Sequence, residues 1–238
     1  MNIEYHKIEG LYAREETTKK LIEGVYRNPA VEYLKDAMWI FTEKIDGTNI
    51  RVYWDGYKVS FAGRTEKALI PTELQEKLNA LFGGEVNEQM FEQHFKNKEV
   101  ILFGEGYGRK IQNGRLYIPD GVSFILFDVM VNGRFLERDE VNEIANAFGI
   151  RSVPVILKGT IQEAVDFVKS KPNSTIGIAN MEGLVGVPAA NLLDRWGNRI
   201  IVKVKVRDIE ELGRNEMSEG KSGRVRRSEY ERIKKDET

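Results

Sequence analysis

From Trp39 to Phe61 the pattern of apolar and polar positions becomes that of strands. Ile50, Val52 and Trp54 alternate with polar partners, Asp55-Gly56 supplies a hairpin turn, and Lys58-Val59-Ser60-Phe61 resumes the strand pattern. Ahead of this hairpin stands the apolar run Met38-Trp39-Ile40-Phe41, separated from it by Thr42-Glu43-Lys44-Ile45-Asp46-Gly47-Thr48-Asn49. Lys44 therefore falls where one strand ends and another begins. Strand ends hold a connecting turn rigid while leaving it open to ligands, which makes this stretch a place for a site.

The remaining pattern alternates between helix and strand periods. Thr17 to Tyr26 fits a short amphipathic helix with Leu21 and Val25 inward. Pro71 to Phe95 carries Leu74, Leu78, Leu81 and Phe82, then Met90, Phe91 and Phe95, at helical spacing, and Gly83-Gly84 divides it into two helices. Val100-Ile101-Leu102-Phe103 reads as a buried strand running into Gly104-Glu105-Gly106. Val122 to Val131 is the longest strand signal in the chain and is expected to be central, with Asn132-Gly133 turning a second hairpin toward Phe135. Glu137 to Phe148 is helical with Gly149 as its stop, and a short strand surrounds Pro154. Thr160 and Glu163 form a capping box for a helix through Val168. Glu182 to Val187 and Arg199 to Val206 are the last strand signals, joined by a turn-rich segment containing Trp196-Gly197-Asn198. In the second of them Lys203 and Lys205 share one face and the valines the other. The pattern predicts an α+β fold, mainly antiparallel, in one domain.

Composition narrows the chemistry. The 238 residues are 41% hydrophobic and 31% charged with a formal net charge of -1, so any nucleic-acid contact has to come from a local basic surface. There is no cysteine, which removes disulfides, thiolate zinc sites and cysteine nucleophiles together. His6 and His94 are the only histidines, and His94 reads as a solvated helix residue, so neither a histidine triad nor a multi-histidine metal site is expected. Lys, Arg, Asp and Glu must carry the reaction. Met1 to Lys20 is studded with charge and no stretch approaches membrane-span length, so a cytoplasmic protein of a cell or virus-infected host is expected. From Ser218 to Lys235 the chain is rich in Lys and Arg with few apolar positions, as in a loose tail or marginal helix.

Taken one at a time, Lys44, Glu105, Glu182 and the Lys203–Lys205 pair each have an ordinary surface explanation. In order, they resemble the signature of the covalent nucleotidyltransferases, the superfamily of polynucleotide ligases and messenger-RNA capping enzymes. Lys44-Ile45-Asp46-Gly47 is similar to its first motif, Phe103-Gly104-Glu105 to the third and Phe127-Asp128-Val129 to the aromatic companion of the third. Glu182-Gly183-Leu184-Val185 is similar to the fourth and Lys203-Val204-Lys205 to the fifth. The Thr48-Asn49 ending, Ala62-Gly63-Arg64-Thr65, and Gly108-Arg109-Lys110-Ile111-Gln112-Asn113 after Glu105 resemble the RNA ligase 2-like family of ATP-dependent phage and RNA-repair ligases in particular. The resemblance covers roughly residues 38 to 206.

The resemblance implies a reaction in which Lys44 takes AMP from ATP as a lysyl-AMP, passes it to the 5'-phosphate end of an RNA, and the enzyme seals that end to a 3'-hydroxyl, as at a nick in a duplex. Nucleotidyl transfer depends on in-line positioning and on neutralising phosphate charge, which is work for cations and a metal rather than a histidine base. Lys44 has to attack as a free amine, and Lys203, Lys205 and a bound Mg²⁺ or Mn²⁺ supply positive charge that lowers a lysine pKa. Similarity places Asp46, Glu105 and Glu182 around the hydrated metal, and Glu105 also at a ribose hydroxyl. Glu43, Ile45, Asn49, Arg64 and Phe127 fall at nucleotide-contacting positions: Glu43 toward the adenine amino group, Phe127 stacked on the base, Arg64 on the ribose, and Asn49 tied to strand sealing. Arg109 and Lys110 are candidates for phosphate contacts.

The fold implied is an adenylation domain of antiparallel sheets and flanking helices around an ATP cleft, spanning 1–207, with 208–238 as a short basic tail and no OB domain. A minimal ATP-dependent DNA ligase shares the same motifs, and a nucleic-acid-binding relative that has lost catalysis shares the fold; the intact Lys44, Glu182, Lys203 and Lys205 speak against the latter.

Overall fold

The computed structural model describes residues 3–65 and 67–218. Three short strands come first, β1 (Glu9–Gly10), β2 (Tyr12–Arg14) and β3 (Leu21–Tyr26), then helix α1 (Pro29–Tyr33). Strand β4 (Trp39–Glu43) leads through Lys44 to the hairpin β5 (Thr48–Trp54) and β6 (Val59–Gly63), and helices α2 (Thr72–Phe82) and α3 (Glu85–Phe95) follow. The long pair β7 (Val100–Gly108) and β8 (Val122–Val131) precedes β9 (Arg134–Phe135), α4 (Arg138–Ala147) and β10 (Arg151–Ser152). The chain continues with β11 (Val155–Gly159), α5 (Ile161–Lys169), β12 (Gly183–Pro188), β13 (Val202–Lys205) and α6 (Val206–Ser218).

These elements form two compact units threaded by one chain. Of the described residues, the first takes 3–7, Ile45–Pro154 and Asn173–Ala179, and the second takes Ile8–Lys44, Val155–Pro172 and 180–218. The chain leaves the second unit between Lys44 and Ile45, inside the motif that the sequence singles out. It returns after Pro154, so the short strand expected around that proline is two strands. β10 runs parallel to β8 in the first unit, and β11 runs antiparallel to β4 in the second.

In the first unit the sheet has the order β10-β8-β7-β5-β6, with β9 added to β8. Its even-numbered positions on β5 and β7, Ile50, Val52, Trp54, Val100 and Leu102, join one core with Leu74, Leu78 and Phe82 of α2 and Phe91 and Phe95 of α3. The four-residue spacing of Leu74, Leu78 and Phe82 puts all three on one helical stripe. Each side chain of this size contributes about 1.5–3 kcal/mol on full burial. The ring of Trp54 stacks on Phe91 at 5.5 Å, and Phe124 of β8 meets Phe82 edge-on at 5.3 Å. Helices thus cover one face of the sheet, and the odd-numbered residues of β5 and β7 occupy the other.

The second unit carries the sheet β1-β13-β12-β4-β11 and the separate hairpin β2–β3. Trp39, Phe41, Leu184, Val202 and Val204 join Ile161, Ala164, Val165 and Val168 of α5 and Ile209 and Leu212 of α6 in its core. The capping box expected at Thr160 is present: its hydroxyl accepts from Glu163 N at 3.3 Å, and Glu163 Oε2 accepts from Thr160 N at 2.7 Å.

Two further sequence expectations change. Leu21 to Tyr26 is the strand β3, not a helix, with Leu21 and Val25 buried as expected and Gly24 at φ 72°. Residues four apart share a face in either period, so the spacing alone does not separate helix from strand; pairing with β2 decides it. The strand expected from Arg199 to Val206 is confined to Val202–Lys205, and α6 takes over at Val206, giving the chain from Asp208 to Ser218 a regular helix. The basic stretch from Lys221 to Lys235 lies outside the described residues. Among the described residues no helix is long and apolar enough to cross a membrane.

Candidate active site

In the second unit three strand ends meet. β12 pairs with β4 on one side and β13 on the other, with Leu184 opposite Glu43 and Gly183 opposite Lys205. Lys44 N donates to Gly183 O at 2.9 Å and Val206 N to Glu182 O at 3.0 Å, so the backbone sets Lys44, Glu182 and Lys205 side by side. The approach is close: a Cβ on Gly183 would lie 2.1 Å from Val204 O, so only glycine fits beside Glu182. The Glu182 carboxylate spans two cations, with Oε2 accepting from Lys44 Nζ at 2.7 Å and Oε1 lying 2.6 Å from Lys205 Nζ. Burial opposes its charge, but Lys44 and Lys205 outweigh that and hold its pKa below the usual glutamate range.

The strand period puts Val202 and Val204 in the core and Lys203 and Lys205 on the opposite face, as expected. Lys205 is 8% exposed, and Lys203, half-buried, forms no salt bridge among the described residues. Desolvation, then the charges of Lys205 and Lys44, push the Lys203 pKa down. The group in contact with Lys44 Nζ is a carboxylate oxygen, Glu182 Oε2. Glu43 shares strand parity with Trp39 and Phe41 and is 1% exposed, so its carboxylate is buried.

The first unit gathers the other candidates on the sheet face that its helices leave. Antiparallel pairing sets Asn49 opposite Glu105 and Arg51 opposite Phe103. Gly47 lies against this pair of strands: a Cβ there would stand 2.3 Å from Gly106 O and 2.8 Å from Glu105 Cγ. The glycine of the Lys-x-Asp-Gly motif is thus required for Asp46 and Glu105 to come from adjoining chain segments. Asp46 is fixed at both ends, its N donating to Tyr117 Oη at 3.2 Å and its Oδ2 accepting from Asn113 Nδ2 at 2.7 Å. Ile45 is buried with Tyr107, Ile125 and Val153. Asn49 Oδ1 is buried and accepts no hydrogen bond among the described residues.

Phe127 sits on a β-bulge. Phe103 pairs with Asp128 and the next residue, Gly104, with Leu126, so Phe127 has no partner on β7. The core residues of β8 change parity there, from Phe124 and Leu126 to Val129. Such a bulge re-aims a side chain and takes its carbonyl out of the ladder; Arg138 Nη2 donates to Phe127 O at 2.6 Å. Arg64 is exposed just after β6, whose last residue is held by Arg51 Nε donating to Gly63 O at 2.9 Å. Arg109 pairs with Asp120 at 2.7 Å on an exposed loop, and Lys110 is exposed at φ 65°. His94 is exposed, with Nδ1 3.1 Å from Met90 O.

Sequence reasoning missed Tyr5, Arg51 and Arg138. Each is an isolated polar or aromatic residue whose partner lies on another element, so no local spacing marks it. Among the described residues no group of three or more His, Cys, Asp or Glu side chains is gathered into a ready-made metal site.

Comparison with solved structures finds the RNA ligase of Naegleria gruberi in several states. A mutant with ATP and Mn superposes with a TM-score of 0.60 at 19% identity, over 85% of this chain and 56% of that one. A mutant with AMP and Mn gives 0.58 at 17% identity over 86% and 62%, and the ligase with PPi gives 0.58 at 20% over 88% and 62%. At these identities the likeness is one of fold, and the chain spans less than two thirds of the ligase that it matches. Comparison with curated proteins finds no match. The family model described as RNA ligase matches residues 37–205, from two residues before β4 to the last residue of β13, and covers well over half of the sequence; the chain belongs to the RNA ligase family.

Proposed function

We propose that this protein is an ATP-dependent RNA ligase. Lys44 attacks the α-phosphorus of ATP; an N–P bond forms, the bond to pyrophosphate breaks, and a lysyl-AMP results. AMP then passes to a 5'-phosphate RNA end, and a 3'-hydroxyl displaces it to seal the strand, as at a nick in a duplex. The observation that carries this reading is the Glu182 bridge between Lys44 and Lys205. Lys44 must attack as the free amine, and the Glu182 carboxylate that accepts from its Nζ at 2.7 Å fixes where that nitrogen stands. Lys203 and Lys205 meet the negative charge of the α-phosphate, and a lysine with a lowered pKa such as Lys203 can carry or release a proton as that charge changes.

In the first unit, Phe127 stacks on the adenine, Arg64 and Glu105 hold the ribose, and Asn49 serves the sealing step. The buried and unpartnered Asn49 Oδ1 supports a role completed by a bound group. Glu43 and Ile45, the neighbours of the nucleophile in sequence, contact the nucleotide, Glu43 at the adenine amino group. Asp46 and Glu105 in the first unit would offer hard carboxylate oxygens to a divalent cation, as would Glu182 in the second, and Mg²⁺ is commonly bound by one or two carboxylates with water completing its shell. When bound, Mg²⁺ or Mn²⁺ supplies charge neutralisation at the phosphates. Residues 1–207 act as the adenylation domain, and the basic tail within 208–238 contacts the RNA backbone with salt-dependent affinity.

Sealing of matched nicked duplexes that differ only in the sugar bearing the 3'-hydroxyl tests the substrate class. Faster joining at a ribose end supports an RNA ligase; joining confined to a deoxyribose end assigns a DNA ligase instead. Unchanged sealing after removal of residues 219–238 takes the tail out of the mechanism.

A further inference from the structure

The segment 3–7 has no regular secondary structure, yet it reaches two of the proposed nucleotide positions of the first unit. Tyr5 is 6% exposed and packs on Phe103 at 4.9 Å and edge-on to Phe127 at 5.0 Å. Its hydroxyl donates to Asp128 Oδ2 at 2.5 Å. Asp128 is 3% exposed, with Oδ1 3.8 Å from Arg138 Nη2, the same nitrogen that holds the carbonyl of the bulged Phe127. Two residues before Tyr5, Ile3 O accepts from Arg51 Nη1 at 2.9 Å, and Arg51 Nε holds Gly63 O immediately before Arg64.

A buried phenol, carboxylate and guanidinium carry a desolvation cost that an apolar cluster of the same volume would avoid. What such a network does well is fix one geometry, because every member must keep its partners. The bulge at Phe127 is the local feature that requires fixing: its residue is out of the ladder on one side and its ring meets Tyr5. Arg51 does the same for the end of β6 with a backbone acceptor taken from the segment itself.

We propose that residues 3–7 are a strap that sets the nucleotide-binding geometry of the first unit, with Tyr5 as a positioning residue that holds the Phe127 bulge through Asp128 and Arg138. The proposal rests on the reading of Phe127 as the base-stacking residue. Tyr5 touches no reacting atom; it fixes the ring that receives the adenine and so acts on ATP affinity rather than on the chemical step.

The test measures covalent labelling of the full chain by α-labelled ATP, together with thermal stability, in Tyr5→Phe, Asp128→Asn, Phe127→Ala and their pairs. Tyr5→Phe keeps the ring and removes one hydrogen bond, and is expected to raise the ATP KM about fivefold while kcat stays within about twofold. Asp128→Asn gives a similar rise, and the Tyr5→Phe, Asp128→Asn pair little more than either alone. In the Phe127→Ala background Tyr5→Phe adds nothing to KM. A lowered melting temperature with unchanged KM in both Tyr5→Phe and Asp128→Asn, or effects that multiply in the Phe127→Ala background, overturns the strap. An unchanged KM in Phe127→Ala removes the base-stacking reading, and the strap with it.

Discussion

Lys44 Nζ donates to Glu182 Oε2 at 2.7 Å, across 138 positions of sequence. With Lys205 on its other oxygen, the Glu182 carboxylate joins the end of β4 to the end of β13 and neutralises part of a three-lysine cluster. Replacing it by Gln removes the counter-charge that Glu182 gives to Lys44 and Lys205. The side chains involved are 10–22% exposed, so the loss is expected at about 2 kcal/mol of unfolding free energy, below that of a fully buried pair. Because the folded pKa of Glu182 lies below its unfolded value, the stabilisation is full above the unfolded pKa and disappears as pH falls through the folded one. Denaturation of Glu182→Gln and the parent chain should therefore differ at pH 7 and converge in acid.

Lys203 has the opposite sign. Its folded pKa is lowered, so the unfolded chain binds the proton more tightly and the charged lysine weakens the fold below the folded pKa. Lys203→Met is expected to melt higher than the parent at pH 7. The gain should shrink as pH rises toward the ordinary lysine value of about 10.4. The same variant should lose nucleotidyl transfer, so stability and activity move in opposite directions.

Gly47→Ala tests why the motif carries glycine. The added methyl meets a backbone oxygen at 2.3 Å, and a strand backbone has little freedom to retreat. A loss of about 2–3 kcal/mol in chemical denaturation is expected, with displacement of Glu105. An alanine tolerated within a few tenths of that would contradict the close approach.

Asn113→Ala removes the donor to Asp46 Oδ2 and leaves the turn intact. If Asp46 serves the metal, the Mg²⁺ concentration needed for half-maximal labelling rises about tenfold, the usual size of an outer-shell effect. Unchanged metal dependence would separate Asp46 from the metal.

The sequence marked the elements that carry their own local signals. The two helices divided by Gly83-Gly84, the Thr160 cap, the hairpin at Asp55-Gly56 and the lysine between two strands all stand where their turn chemistry and periodicity put them. The Val202–Lys205 alternation also read correctly, because polar and apolar residues differ on its two faces. The bulge did not: Val122 to Met130 is apolar at nearly every position, so a change of parity at Phe127 leaves no trace in the pattern. Nor did the division between Lys44 and Ile45, which lies inside a continuous motif and is set by contacts far away in the chain. Tyr5, Arg51 and Arg138 escaped because what identifies them is the acceptor each one meets on another element, which no local pattern shows.

In the proposed reaction Lys44 becomes covalently adenylylated. Incubation of the full chain with α-labelled ATP and Mg²⁺, followed by denaturation, measures it directly. Label is expected to remain with the denatured parent chain and to be absent from Lys44→Ala. Label retained on Lys44→Ala would contradict it.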